Sequence, residues 1–181
     1  NLAFPMNALI LHNSSLFIAD TYVNKDPTAE QIAQGTLMCA SEIERFGITP
    51  KVALLSNSNF GSGPNGGGNK MQDALPIIRE TRPDLQIDGE MQGDVAMMEE
   101  MRQQILPDST LKGSANLLVM PNVEAANISY NLLRVSAADG ITVGPILMGM
   151  NKPIHIITPI STVRRIVNMV ALAAVDAQRN K

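Results

Sequence analysis

The chain predicts an α/β protein of three layers, α/β/α, with a mainly parallel sheet covered by helices on both faces. Three observations carry this. Apolar runs of four to six residues, such as Val52-Ala53-Leu54-Leu55 and Leu117-Leu118-Val119, have strand length and lack the alternation of a half-exposed strand. Longer segments with helical start and stop signals lie between them. At 181 residues and 45% apolar content the chain suits one domain that buries a full core without a disulfide or metal staple.

Residues 8–11 and 15–19 read as two strands joined tightly through His12-Asn13-Ser14, adding an antiparallel hairpin. Asp20 to Asn24 follows as a polar loop. Asp26-Pro27-Thr28 then opens a helix: a capping acid, a proline tolerated in the first turn, and Glu30 placed to favour the dipole. That helix runs to about Phe46, and Gly47 ends it. Residues 51–56 form a buried strand, and a glycine-rich loop from Phe60 to Gly68 leads to a helix over 69–81. Next come a short extended piece at 84–87, one helix over 93–105, a buried strand at 116–120 and a helix over 123–137. Residues 145–147 are extended, 153–157 form a strand, and 162–178 the closing helix.

Composition removes several function classes. Net charge is −3, Lys and Arg are scattered, and aromatic residues make up 3%. A nucleic-acid partner needs a basic face, usually with stacking aromatics, so none is expected. No apolar run reaches the ~18 residues of a membrane span and no signal peptide is read, so no membrane partner is expected either. Cys39, the single cysteine, falls in a helix and reads as a buried reduced thiol, which suits a cytoplasmic protein. The chain begins Asn1-Leu2-Ala3 without methionine and reads as a piece of a longer polypeptide.

Several constellations could carry chemistry. Gly61-Ser62-Gly63-Pro64-Asn65-Gly66 fits the dinucleotide pattern G-x-G-x-x-G only as a string, because the strand ends too early and no helix starts at the third glycine. A P-loop fails because Asn69, not lysine, follows Gly68. Ser56, Ser58 and Ser62 nevertheless crowd the C-terminal end of a sheet strand, where α/β proteins place ligands. Asp88-Gly89-Glu90 with Asp94 offers hard-cation chemistry, but acids ahead of a helix ordinarily cap it, and capping is the expectation. Met91, Met97, Met98 and Met101 read as core or interface filler. His12 and His155 lack a second metal-spaced ligand and read as packed, and no Ser/His/Asp chain can be nominated. Asn116, Pro121-Asn122, Asn127 and Asn131 surround a strand–turn–helix at a cost in propensity. Both a ligand-built turn and plain capping remain open there. Finally, Thr158 to Arg165 opens the last helix, and a helix N-terminus is suited to holding phosphate or carboxylate.

Taken together, these segments resemble the phosphate acetyltransferase family. Ser56-Asn57-Ser58-Asn59-Phe60-Gly61-Ser62 is similar to its strand-end loop, and Asp88-Gly89-Glu90-Met91-Gln92-Gly93-Asp94-Val95-Ala96 to its "DGE-x-Q-x-D-x-A" segment. Gly113 to Asn122 with Ala126-Asn127-Ile128-Ser129-Tyr130, and Gly144-Pro145-Ile146-Leu147-Met148-Gly149 with Lys152-Pro153, match further stretches in order. Phe17 to Asn24, Ser58 to Ser62 with Lys70-Met71, and Thr162 to Met169 resemble more closely still the acetyltransferase-like C-terminal domain of large bacterial NADP-dependent malic enzymes.

The resemblance implies the phosphotransacetylase fold, of the isocitrate/isopropylmalate dehydrogenase-like kind. It also implies acetyl-CoA or a related acyl-CoA as ligand, upstream malic-enzyme domains as partners, and a homo-oligomer. NADP and Mg or Mn would belong to those upstream domains, with no cofactor and no metal ligand in this piece. The ligand residues it implies are Asp20, Thr21, Ser56, Ser58, Gly61, Ser62, Asn122, Asn127, Asn131, Thr158, Ser161, Thr162 and Arg165. No catalytic residue is implied. Active transferases of the family place Ser-Arg-Gly before the last helix and an aspartate in its early turns; here those positions are Thr158-Pro159-Ile160 and Arg165. Active members also commonly carry lysine where Asn131 stands, so the acyl-CoA phosphates would fall to Arg164 or Arg165. Proline has no charge and no donor, and arginine accepts no proton at neutral pH. A catalytically silent, acyl-CoA-sensing regulatory domain is therefore the leading expectation. An active phosphate acetyltransferase and a purely structural oligomerisation module are the alternatives.

Overall fold

The computed structural model describes residues 2–63, 69–136, 141–159 and 161–179. Their order is β1 (Phe4–Ile10), β2 (Ser15–Ala19), α1 (Ala29–Arg45), β3 (Lys51–Leu55), α2 (Lys70–Thr81), β4 (Gln86–Met91), α3 (Gly93–Met97), α4 (Glu99–Ile105), β5 (Leu117–Val119), α5 (Val123–Ser136), β6 (Ile141–Met148) and α6 (Val163–Arg179). The strands form one sheet in the order β4-β3-β5-β2-β1-β6. β2, β5, β3 and β4 run parallel, and β1 is antiparallel to both β2 and β6. The three-layer, mainly parallel arrangement expected from the sequence is the observed one.

Alternation along the strands divides the core. Met6, Ala8, Phe17 and Ala19 face α1, α2 and Met169 of α6, whereas Leu9, Leu16 and Ile18 face Val95, Ala96 and Tyr130 on the other side. Gly35 of α1 lies so close to β1 that an added Cβ would sit 2.3 Å from the Phe4 ring. Cys39 is fully buried in this layer, and burial pushes its thiol pKa up, with the charges of Asp20 and Glu42 adding to the shift.

The structure corrects several boundaries. Thr28, rather than Asp26, caps α1 in a reciprocal box with Gln31. β1 starts at Phe4 because its pairing with β6 extends through Pro5, which opposes Leu147, and β6 is correspondingly longer than the 145–147 piece. Residues 153–157 are not a strand; His155 Nδ1 instead accepts from the Leu147 N–H, 3.3 Å. β4 runs on through Asp88-Gly89-Glu90, so these acids lie in a strand and cap nothing. Gly89 is required there: a Cβ would meet the Leu54 carbonyl at 2.7 Å. Residue 137, the expected last residue of the helix after β5, lies outside the described residues.

The helix expected over 93–105 breaks at Met98, which is extended. Arg102 explains how the break is tolerated. Its buried guanidinium donates to the carbonyls of Val95 (3.0 Å), Ala96 (3.1 Å), Leu111 (3.0 Å) and Gly113. An unbroken helix would have satisfied the first two through residues 99 and 100. Arg102→Met should therefore lower the unfolding free energy by about 3 kcal/mol, since it strands several buried carbonyls. Urea denaturation checks this; a shift in midpoint worth under about 1 kcal/mol would assign Arg102 a minor role.

Candidate functional site

The loop after β3 is built around one buried carboxylate. Ser56 N–H continues the β3–β4 ladder to Met91 O at 2.9 Å, after which Phe60 and Gly61, both at positive φ, turn the chain back. Glu90, 1% exposed, receives that turn. Its carboxylate accepts from Ser58 Oγ (2.9 and 3.0 Å), Gly61 N (3.0 Å), Asn69 Nδ2 and Gln72 Nε2 (3.4 Å), while its carbonyl accepts from Phe60 N at 2.7 Å. Asn69 also caps α2 through Met71 N and donates to Ser56 Oγ. Burial pushes the Glu90 pKa up, but hydrogen bonds from Ser56, Gly61, Ser58 and Asn69 outweigh it and hold the carboxyl below its ordinary value.

Ser56, Ser58, Gly61 and Ser62 are thus brought together, but all three serines serve the loop itself, Ser56 through Asn69. Ser58 donates to Glu90, and Ser62 Oγ accepts from Asn59 N at 3.1 Å. The Asn59 amide and the Asn57 carbonyl are engaged as well, laced to Gln92 at 2.8–3.1 Å. Residues 64–68, with the remaining glycines of the two motif readings, lie outside the described residues. The DGE acids do not converge on one point: Asp88 is held by Arg79, Ser109 and Thr110, apart from Glu90.

A second group forms around Thr21. Asp20 adopts a left-handed φ of 46° and spends its carboxylate on the turn, accepting from the N–H groups of Val23 (3.0 Å) and Asn24. Burial raises its pKa, opposed by hydrogen bonds from Asn24, Val23 and Tyr22. Thr21 is fully buried; its hydroxyl accepts from Asn7 Nδ2 and its carbonyl from Asn127 Nδ2 at 3.1 Å. Asn131 Nδ2 donates to the Asn127 carbonyl at 2.9 Å. Asn122 accepts from Ala125 N at 2.9 Å, capping α5. A shallow cleft of about 400 Å³ opens between Thr21, Tyr22, Val123, Glu124, Asn127 and Ile128.

At the last helix, Thr158 N–H donates to Ser161 Oγ (3.1 Å), Ser161 N–H to Thr158 O (2.9 Å), and Arg165 N–H to Thr162 Oγ1 (3.2 Å). The loop is self-braced, Pro159 adds no donor, and Ile160 lies outside the described residues. Arg165 is buried, and its Nε donates to Gly144 O at 2.7 Å. Gly144 packs on Asn7, where an added Cβ would lie 2.8 Å from Asn7 Oδ1. Two polar groups therefore meet by packing at Gly144 and Asn7: Arg165 bonded to Gly144 on one side, and Asn7 with Thr21, Asn127 and Asn131 on the other. Among the described residues no hydrogen bond joins either of them to the Glu90 group.

Sequence reasoning missed Asn7, Gly144 and the role of Glu90. The available signal was a polar side chain inside the otherwise apolar run of β1, which must be hydrogen-bonded when buried. Chemically, the carboxylates on which the two loops are built, Asp20 and Glu90, are occupied by N–H or O–H donors. The arrangement suits holding a ligand through backbone and amide groups better than moving a proton.

Residues 3–174 match the family described as phosphate acetyl/butaryl transferase. The chain is 62% identical over 176 residues to the NADP-dependent malic enzyme of Salmonella typhimurium, covering 97% of this chain and 23% of that protein. It is 38% identical over 169 residues to the phosphate acetyltransferase of Haemophilus influenzae, covering 93% of this chain and 24% of that protein. It spans only about a quarter of the length of these curated relatives. Among solved structures, the EutD phosphotransacetylase from Staphylococcus aureus superposes with a TM-score of 0.87 at 26% identity, over 100% of this chain and 55% of that one. By sequence and by fold, the chain belongs to the phosphate acetyl/butaryl transferase family.

Proposed function

We propose that this chain is a catalytically silent, acyl-CoA-binding regulatory domain of a larger NADP-dependent malic enzyme, through which acetyl-CoA restrains oxidative decarboxylation of malate. The observation that carries the reading is Arg165. It occupies the place where active transferases are expected to have an aspartate, and its guanidinium is buried and bonded to Gly144 O. A buried guanidinium accepts no proton, so no base toward the CoA thiol stands there. Pro159, in the expected arginine position, withdraws a charged donor worth ~3 kcal/mol of transition-state stabilisation, about two orders of magnitude in rate. The high identity to malic enzymes supports the parentage.

In this reading the ligand cleft lies between the Ser56–Ser62 loop, the Asp20–Asn24 loop and the start of α6. NADP and the Mg or Mn ion belong to upstream domains, and the assembly is a cytoplasmic homo-oligomer. Exposed apolar residues on α5 (Ile128, Leu132, Val135) and α6 (Val163, Val167, Val170) supply faces for those contacts. Regulation then requires that acetyl-CoA bind one conformation of the parent enzyme better than another.

Calorimetry with acetyl-CoA should give saturable heat below about 1 mM. A coupled assay with phosphate should show no acetyl phosphate above background. Absence of heat at millimolar ligand would remove the sensing role, and turnover near about one per second would remove the silence.

Glu90→Gln tests the loop. Removing the charge that collects these donors should cost about 2 kcal/mol of stability at pH 7 and weaken acetyl-CoA binding about tenfold. Because the folded pKa lies below the ordinary 4.5, this stabilisation is present above 4.5 and fades as pH falls through the lower folded value. The stability gap between wild type and variant should accordingly close on acidification; a gap that stays constant from pH 7 to about 3 would contradict the assignment.

A further inference from the structure

Apart from these loops, α1, the end of β6 and α6 enclose a cleft of about 430 Å³, a size typical of small-molecule sites. Leu37, Met38, Met148 and Met150 make an apolar wall. The floor is charged. Arg45 reaches across from α1, its Nη1 2.6 Å from Glu42 Oε2 and its Nη2 on Asp176 Oδ1 of α6.

His155 completes the floor with a side chain only 5% exposed. Its Nδ1 accepts from Leu147 N–H, so the neutral ring carries its proton on Nε2. Burial lowers the His155 pKa, opposed by the Asp176 charge, which favours that neutral ring. Nε2 is buried and has no hydrogen-bond partner among the described residues. It stands 4.0 Å from Asp176 Oδ2, too far for a direct bond, and no hydrogen bond reaches Oδ2 among the described residues.

Glu42 and Asp176 share the Arg45 guanidinium beside a neutral imidazole. Lys152, exposed and without an ion pair among the described residues, sets one positive charge at the rim. An unpaired donor and an unpaired acceptor, side by side, fit a ligand whose own acceptor and donor are borne by adjacent carbons. A lone anion would meet the Asp176 charge, and a lone amine would leave Nε2–H and Lys152 unanswered.

We propose that this cleft binds a free α-amino acid with an apolar side chain. The ammonium donates to Asp176 Oδ2, the carboxylate accepts from His155 Nε2–H and faces Lys152, and the side chain lies against Met38 and Met148. The site is independent of the acyl-CoA reading.

The chain has two histidines, and His12, exposed on the β1–β2 turn, provides an internal reference for proton–carbon NMR of the imidazole Cε1–H groups. Titration with L-leucine should move the His155 signal saturably and leave His12 in place. 4-Methylpentanoate, which lacks the ammonium, and isopentylamine, which lacks the carboxylate, should each bind at least about tenfold more weakly. Asp176→Asn should abolish the shift. Because that variant also disturbs the Arg45 pair, Lys152→Ala on the exposed rim is the second test, and should weaken leucine about fivefold with the fold intact. A His155 signal unmoved at about 50 mM leucine would overturn the proposal. So would one that follows 4-methylpentanoate as strongly as leucine.

Discussion

A buried guanidinium fixes the relation of the last helix to the sheet. Arg165 reaches beneath α6 to the Gly144 carbonyl, at the point where β6 bulges against Asn7 of β1. That carbonyl satisfies Nε, while Nη2 is buried without a hydrogen-bond partner among the described residues, so this one contact ties the helix to its strand. Asn7 carries the constraint on to Thr21 and so to α5. Polar bonds at either end and the close packing of Gly144 on Asn7 register these elements, while the two apolar clusters supply most of the cohesion.

Much of the fold could be read from the chain because local and global signals agree over most of its length. β2, β3, α1, α2 and α5 follow from apolar runs and capping residues with boundaries within a few residues. The failures share a cause: tertiary bonds overrode local pattern. The helix over 93–105 has acceptable helical residues throughout, yet Arg102 stabilises a break by taking the Val95 and Ala96 carbonyls that precede it. Pro153 to Ile157 has strand composition but joins no ladder, and the segment instead delivers His155 toward α6.

The candidate site was legible in its loops and not in its supports. Thr21, Asn127 and Asn131 are joined by hydrogen bonds, and Arg165 is bonded to Gly144, which packs on Asn7 beside them. Asn7 and Gly144, which join them, sit in strands that look ordinary in sequence. Glu90 was visible as an acid but its surroundings were not, since the donors that surround it come from residues 58–72. Spacing along a chain reveals what neighbours in sequence can do together. It says little about which distant donor will fill a buried acceptor.

The burial of Cys39 has a practical side. Thiol reagents attack the thiolate, and a sulfur sealed between α1 and the sheet, with its ionisation suppressed, offers none while the fold is intact. The folded surface is then chemically blank toward maleimides. A fluorophore attached through one engineered surface cysteine would report from that position alone, and any labelling of the unaltered protein would register global opening.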